Sequence, residues 1–410
     1  MWEENANPSV RWGQLLVLAA LTAFVGAMWG MERATVPLIA RQDFGIASAA
    51  VTLSFVVGFG LTKTFANLGA GALMDRIGRK RVLVMGWIAG IPVPLLIIWA
   101  PSWGWIVGAN LLLGVNQGLC WTATILMMMD VVNGERRGFA TGLNEFAGYG
   151  GVAVLTLATG FLAAEYAPRP QPFILGIVIA GVGLAASVLL VRDTVVRTEE
   201  GAAPSFRSTF VDSVRDHTLL SLGQAGLVTK INDATVWGLL PLALDARGFD
   251  VARVGVVAAI FPLVWGVSQL GAGILSDYLG RKPLILAGMV LQSTGMWVLA
   301  TAGGAITPWI AGVSILGLGA AAVYPTLIAA VGDRAHPLRR ASAIGIYRSY
   351  RDSGFIAGAL VAGVLADAFG FRWAFFAVGV ISLLSALGVG VWMVEAGGRR
   401  GPLRAFRDSP

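Results

Sequence analysis

The chain has little of what soluble catalysts are built from. It has one cysteine, Cys120, set in an apolar run, which leaves no disulfide framework and no thiolate metal cluster. Its two histidines, His217 and His336, fall in loops, and no nucleophile stands at a readable spacing from a base. An enzyme is therefore not expected, nor a cofactor or a bound metal. A Gly-x4-Gly-Lys-Ser/Thr loop is missing, which removes the usual cradle for a nucleotide and with it direct ATP drive. There is no Asn-x-Ser/Thr acceptor, since Asn7 is followed by Pro8. Charge is the scarcest commodity: 13% of the 410 residues are charged, against about a quarter in a soluble domain.

What is present is apolar surface in long runs. Hydrophobic residues make up 56% of the chain and there are 54 glycines. A helix needs about 20 mostly apolar residues to cross a bilayer, and only a helix satisfies its own backbone there without closing a barrel. A barrel would show alternating strands of about 10 residues, unlike these uninterrupted runs. The runs predict six spans at 12–38, 47–72, 82–100, 104–130, 138–163 and 172–191. After a polar connector come six more, at 218–243, 252–275, 283–302, 307–331, 341–365 and 372–395. The expected fold is an all-α integral membrane protein, twelve transmembrane helices in two six-helix bundles.

The net charge of +7 is topological and does not point to nucleic acid. Alternate loops hold only Arg41, Arg169, Arg247, Arg253 and Arg372, and the apolar runs hold Arg33, Lys63, Lys230, Arg348 and Arg351. All other Lys and Arg residues collect on the face that carries both termini, the orienting bias that keeps basic residues cytoplasmic. Both termini are thus expected in the cytoplasm of a bacterial inner-membrane protein. The first span is too long for a cleaved secretory signal, and Trp12, Trp103, Trp105 and Trp373 suit interfacial belts.

Between spans 2 and 3 stands Gly71-x-Leu73-x-Asp75-Arg76-x-Gly78-Arg79-Lys80-Arg81. Gly273, Asp277, Gly280, Arg281 and Lys282 repeat it 202 positions later, with Tyr278 and Pro283 as departures. Two more anchors repeat in order: Ala34-Thr35-Val36 recurs as Ala234-Thr235-Val236, and Arg136-Arg137 as Arg339-Arg340. The chain is therefore a duplication. The expected domains are 1–191, a first bundle; 192–217, a cytoplasmic connector; 218–398, a second bundle; and 399–410, a cytoplasmic tail.

The loop, its echo and the twelve spans resemble the major facilitator superfamily across essentially the whole chain. The resemblance implies alternating access around a site between the halves. It also implies that the loop is a cytoplasmic latch, with Gly78 allowing a tight turn at positive φ. Asp75 is expected to engage the start of span 11 near Arg339 and Arg340, and the first copy, with Arg76 and Arg81, to latch more tightly than the second.

Ionisable residues inside spans are costly and are functional candidates by default. At about 1.5 Å per residue, Lys63 lies about 18 Å inward from Asp75, and Glu145 about 12 Å beyond Arg137. Arg348, Arg351 and Asp352 lie about 12 to 18 Å beyond Arg340. The spacing pairs Arg348 with Asp352 and Lys230 with Asp233 on single helix faces. Lys63, Arg351 and Glu145 remain, and they either pair with one another or serve a substrate. In the second case Lys63 and Arg351 meet an anionic group. Glu145 then carries a proton, with Asp233 as second choice. Glu145 and Arg348 are equivalent in the repeat and are expected to face each other across it. Glu32 and Arg33 fall near the outer end of span 1, where they read as an interfacial snorkelling pair or as cavity residues. Met127-Met-Met129 fan around a helix and read as packing.

The expected function is secondary transport of a small solute, proton-coupled, with an anionic or zwitterionic metabolite preferred, by a monomer in the lipid bilayer. A multidrug antiporter is the alternative. Against it, span 4 has no Arg in Leu112-Leu-Gly-Val-Asn116-Gln117-Gly118, and Ala147 stands where drug exporters carry proline. A membrane sensor or assembly protein that has lost transport is the alternative of another class.

Overall fold

The structure is a computed structural model that describes residues 8–132, 137–194, 215–335 and 340–395, with side chains at 8–11, 137 and 340–342 left out. Every expected span is one helix or two helices meeting at a short break. Span 1 comprises Pro8–Arg33 and Val36–Gln42, span 2 Ala49–Thr52 and Ser54–Ile77, and span 3 Arg79–Gly90 and Pro92–Ile98. Spans 4 to 6 are Trp103–Val131, Arg137–Glu165 and Gln171–Leu189. Spans 7 to 10 are His217–Asp245, Val251–Leu279, Arg281–Thr301 and Ile306–Arg334. Span 11 comprises Arg340–Asp352 and Gly354–Phe369, and span 12 is Phe371–Trp392.

The breaks have local causes. Pro37 has no N–H to give the Arg33 carbonyl, so span 1 loosens at Ala34–Thr35 and restarts with proline in its first turn. Polar side chains close helix starts: Asp216 accepts from the N–H groups of Thr218 and Leu219, and Asp250 from that of Arg253. Gly78 and Gly280 end spans 2 and 8 at φ 92° and 93°, ψ 154° and 158°, so the two charged loops turn in the same way.

Among the described residues, eleven of the twelve spans are long and apolar enough to cross a membrane. Span 7 is the exception, and its burial explains why: residues from Thr218 to Leu244 are nearly all inside the protein, so it needs no apolar face for lipid. In the N-terminal half, spans 1 and 5 cross at contact distance. A Cβ on Gly26 would run into the Gly148 carbonyl, and one on Gly151 into that of Ala23.

The halves meet along spans 2 and 11 and along spans 5 and 8, with spans 1 and 7 between them. The first and last described residues, Pro8 and Glu395, lie at one end of the bundle, here the terminal end, and the other is the distal end. At the distal end Asp367 of span 11 accepts from Ser48 Oγ at 2.6 Å, Ala49 N at 2.6 Å and Ala50 N at 3.1 Å, closing the start of span 2. Arg41 reaches Asp245 at 3.4 Å and the Leu242 carbonyl at 3.3 Å. Beneath these bonds lies an aromatic plug. Trp29 and Phe59 from one half meet Trp237 and Phe355 from the other, with Phe59 edge-on to Trp237 at 4.9 Å and to Phe355 at 5.2 Å. The distal end is closed.

Candidate functional site

Just below the plug the two halves bring together most of the charges inside the membrane. Arg33 donates to Asp233 Oδ1 at 2.8 Å from one half to the other, and Lys230 donates to Asp233 Oδ2 at 2.9 Å. One carboxylate thus serves two cations, all of them at most 2% exposed. Lys230 also donates to the Tyr149 hydroxyl at 3.2 Å, which adds a second tie between halves.

The interfacial reading of Glu32 and Arg33 is therefore wrong. Span 1 continues to Gln42, so Arg33 lies about 13 Å below its distal end, and its guanidinium sits over the ring of Trp29 at 4.9 Å. Glu32 points elsewhere, as adjacent helical residues must. It is wholly buried beside Asn110 of span 4, close enough for the two side chains to interact. The repeat contained the signal for Arg33: in the register of Ala34-Thr35-Val36 and Ala234-Thr235-Val236, Arg33 and Asp233 are equivalent positions of opposite charge.

Span 11 departs from the spacing argument. Asp352 does not pair with Arg348. Its Oδ1 takes the neighbouring Arg351 at 2.6 Å, and its Oδ2 takes Asn67 of span 2 at 2.5 Å. The first helix of span 11 ends at Asp352, which turns the carboxylate toward span 2 instead of along its own helix. Arg348 makes no hydrogen bond or ion pair among the described residues, and its Nε is buried without a partner.

Lys63 is 5% exposed and makes no hydrogen bond to a described residue. Rings surround it instead: Trp29 at 5.0 Å, Phe59 at 5.1 Å, Phe355 at 5.5 Å and Trp121 at 5.7 Å. Glu145, also buried, accepts through Oε1 from Trp121 at 2.9 Å and Tyr324 at 3.3 Å. Those two donors are equivalents in the repeat, 203 positions apart, so each half supplies one. Lys63, Arg351 and Glu145 do not pair with one another. Nor do Glu145 and Arg348 pair, although both lie close enough to influence Tyr324.

The charged loops form a second set of contacts near the terminal end. Arg79 pairs with Asp130 of span 4 and donates to the Leu126 carbonyl at 3.2 Å. Lys80 Nζ donates to the Val188 carbonyl of span 6 at 2.7 Å, and its N–H faces Asp193. In the other copy Arg281 pairs with Asp277 at 2.8 Å and Asp333 at 3.2 Å, and Lys282 donates to the Met393 carbonyl at 2.8 Å. These bonds tie helices within each half. Asp75 and Arg76 are exposed, as is Arg81, and no ion pair of theirs is among those described. Thus the tighter first latch is not what the geometry shows. Arg339 and the Arg340 side chain, the expected partners of Asp75, lie outside the described residues. Gly71 packs against nothing within 4 Å of a Cβ position.

Known proteins share this family and fold. The sequence profile of the Major Facilitator Superfamily matches residues 18–224 and again 222–409, one copy for each half. The chain belongs to the Major Facilitator Superfamily. The multidrug resistance protein MdtG of Citrobacter koseri is 25% identical over 397 residues, 92% of this chain and 94% of that protein. MdtG of Salmonella typhimurium is 23% identical over 389 residues, covering 92% and 95%.

Among solved structures, a bacterial homolog of the human lysosomal transporter Spinster, inward-facing and unoccupied, superposes with a TM-score of 0.76 at 14% identity, covering 95% of this chain and 98% of that one. The nucleoside transporter NupG, solved as a point mutant, gives 0.78 at 13%, covering 93% and 100%. At such identities these are likenesses of fold. The superfamily fold, the apolar helices and the bacterial relatives make this an integral membrane protein of the secondary-transporter class.

Proposed function

We propose that this protein is a proton-coupled secondary transporter of a small anionic or zwitterionic solute, working by alternating access as a monomer and not as an enzyme. The observation that carries the reading is Lys63: a buried cation between the two halves with no carboxylate or hydrogen-bond partner of its own among the described residues. Arg351, Arg348 and Lys230 surround the same space. Burying a charge without a partner is expensive, so a position of this kind calls for an anion that comes and goes. Lys63 and Arg351 bind the substrate; Lys230, Asp233, Arg348 and Asp352 set the charge balance around it.

Glu145 carries the proton. Its Oε1 holds one donor from each half, so taking up a proton weakens a tie between halves at the moment the charge balance changes. The Gly78 and Gly280 loops brace each half at its terminal end, which supports a latch role for Gly78, Arg79, Lys80, Asp277, Gly280 and Arg281; of the other proposed latch residues, Asp75 adds its charge beside Arg79, while Gly71 and Arg76 add no described contact. The basic loops support cytoplasmic termini, with residues 1–191 and 218–398 as the moving bundles, 192–217 the connector and 399–410 the tail. With cytoplasmic termini, the closed distal end excludes an outward-open form.

Proteoliposome flux tests the reading. Uptake of an organic anion should follow an imposed pH gradient, and Glu145→Gln should lose that dependence while Lys63→Gln loses uptake. Flux indifferent to the gradient in the parent protein would refute the coupling. Multidrug efflux is the second reading, favoured by the MdtG relatives and by the aromatic lining of the plug; drug resistance of cells expressing the parent, lost in Glu145→Gln, would support it.

A further inference from the structure

We infer that the substrate is an oxyanion without a cationic group, a carboxylate or phosphate-like anion and not a zwitterion; this rests on the transport reading above and narrows it. The argument is a census of unused hydrogen-bonding capacity between the halves. The acids are already engaged. Asp233 is shared by Arg33 and Lys230, and Asp352 by Arg351 and Asn67. Glu145 has given one oxygen to Trp121 and Tyr324. The donors are not. Lys63 is ringed by aromatics and has Asp352 within electrostatic reach, but makes no hydrogen bond to a described residue, and Arg351 Nη1, Arg348 Nε and the Tyr347 hydroxyl are buried without hydrogen-bond partners among the described residues. Lys63, Arg351 and Tyr347 are each at least nine-tenths buried.

Charge agrees with the donor count. Arg33, Lys63, Lys230, Arg348 and Arg351 face only Asp233, Asp352 and Glu145. The remaining acid, Glu32, is turned into the contact between spans 1 and 4 beside Asn110. An excess of positive charge inside the membrane is costly, and an entering anion relieves it. An ammonium group would find Asp233 and Asp352 already held in ion pairs, and of the acids between the halves only Glu145 without one among the described residues. The Gln269 amide, buried in span 8 with both its atoms unpartnered, is neutral and suits a polar group on the body of the anion.

The test uses purified full-length protein and probes matched in shape. 3-Phenylpropionate, phenylalanine and 2-phenylethylamine share one ring and differ in charge; succinate and aspartate form a second pair. Binding is read from tryptophan emission, since Trp29 and Trp121 flank Lys63. At least one anion of the two sets should bind about tenfold or more tightly than its amine-bearing analogue. Lys63→Met should abolish that difference, and Tyr347→Phe, which leaves every ion pair intact, should weaken the anion several-fold.

Tighter binding of phenylalanine, aspartate or phenylethylamine overturns the inference, as does failure of both anions to bind. The same probes used in flux assays separate the two claims. Gradient-driven flux of phenylalanine or aspartate without the anions keeps transport and sinks the inference. Anion binding with no flux of any probe keeps the inference and sinks transport.

Discussion

Asp367 offers the sharpest perturbation, because it touches the opening of the distal end without touching the charges at the centre. Its carboxylate receives three hydrogen bonds from the start of span 2, two from backbone N–H groups and one from Ser48. The contact joins the two halves, so it exists only while the distal end is closed. At about 0.5 to 1 kcal/mol net for each bond, lowered by exposure to water, the set favours closure by about 2 kcal/mol. Removing it shifts the equilibrium about 30-fold toward the distally open form, at 1.4 kcal/mol per factor of ten. Asp367→Ala should show the full shift and Asp367→Asn a smaller one, since asparagine keeps one acceptor. Spin labels on cysteines at Gln42 and Ala246, exposed positions on opposite halves, report the separation. Cys120 is buried and leaves the background clean. A distance distribution unchanged in Asp367→Ala would refute the idea that this carboxylate holds the distal end shut.

Other expected outcomes follow from the same geometry. Asp233→Asn strands Arg33 and Lys230 in the interior and should cost about 3 to 5 kcal/mol, seen as lost expression or a lowered thermal midpoint; adding Lys230→Gln should recover part of it. Gly160→Leu pushes into Gly255 where spans 5 and 8 cross, and should hold the distal end apart, measured with the same spin labels. Arg79→Ala and Arg281→Ala should lower the thermal midpoint by similar amounts, since both loop copies make the same kind of bonds to their own halves. A large effect in the first copy alone would restore the asymmetry that Arg76 and Arg81 suggest.

The order and ends of the helices were legible in the sequence, with most boundaries within a few residues, because membrane thickness and the cost of bare backbone in lipid act on each run by itself. The duplication was legible for a similar reason: equal offsets survive wherever Gly78 and Gly280, or Ala34 and Ala234, must make the same turn or contact. Span 7 shows the reach of that argument. It falls short of the apolarity of the other described spans, yet its run was long enough to read, and Ala234-Thr235-Val236, the echo of Ala34-Thr35-Val36, marks it as the counterpart of span 1.

Partners were a different matter. Spacing along one helix predicted Arg348 with Asp352 and left Arg33 undecided between interface and cavity, but which way a side chain faces depends on how each helix is rotated against its neighbours. Asn67 drew Asp352 toward span 2, and Asp233 drew Arg33 across the boundary between the halves. The sequence by itself determined which runs cross the membrane and which charged residues they carry, though not how deep each lies, as the extension of span 1 to Gln42 shows for Arg33. Only the packing of one half against the other decided which of their charges are matched and which, Lys63 first among them, are left for something else to meet.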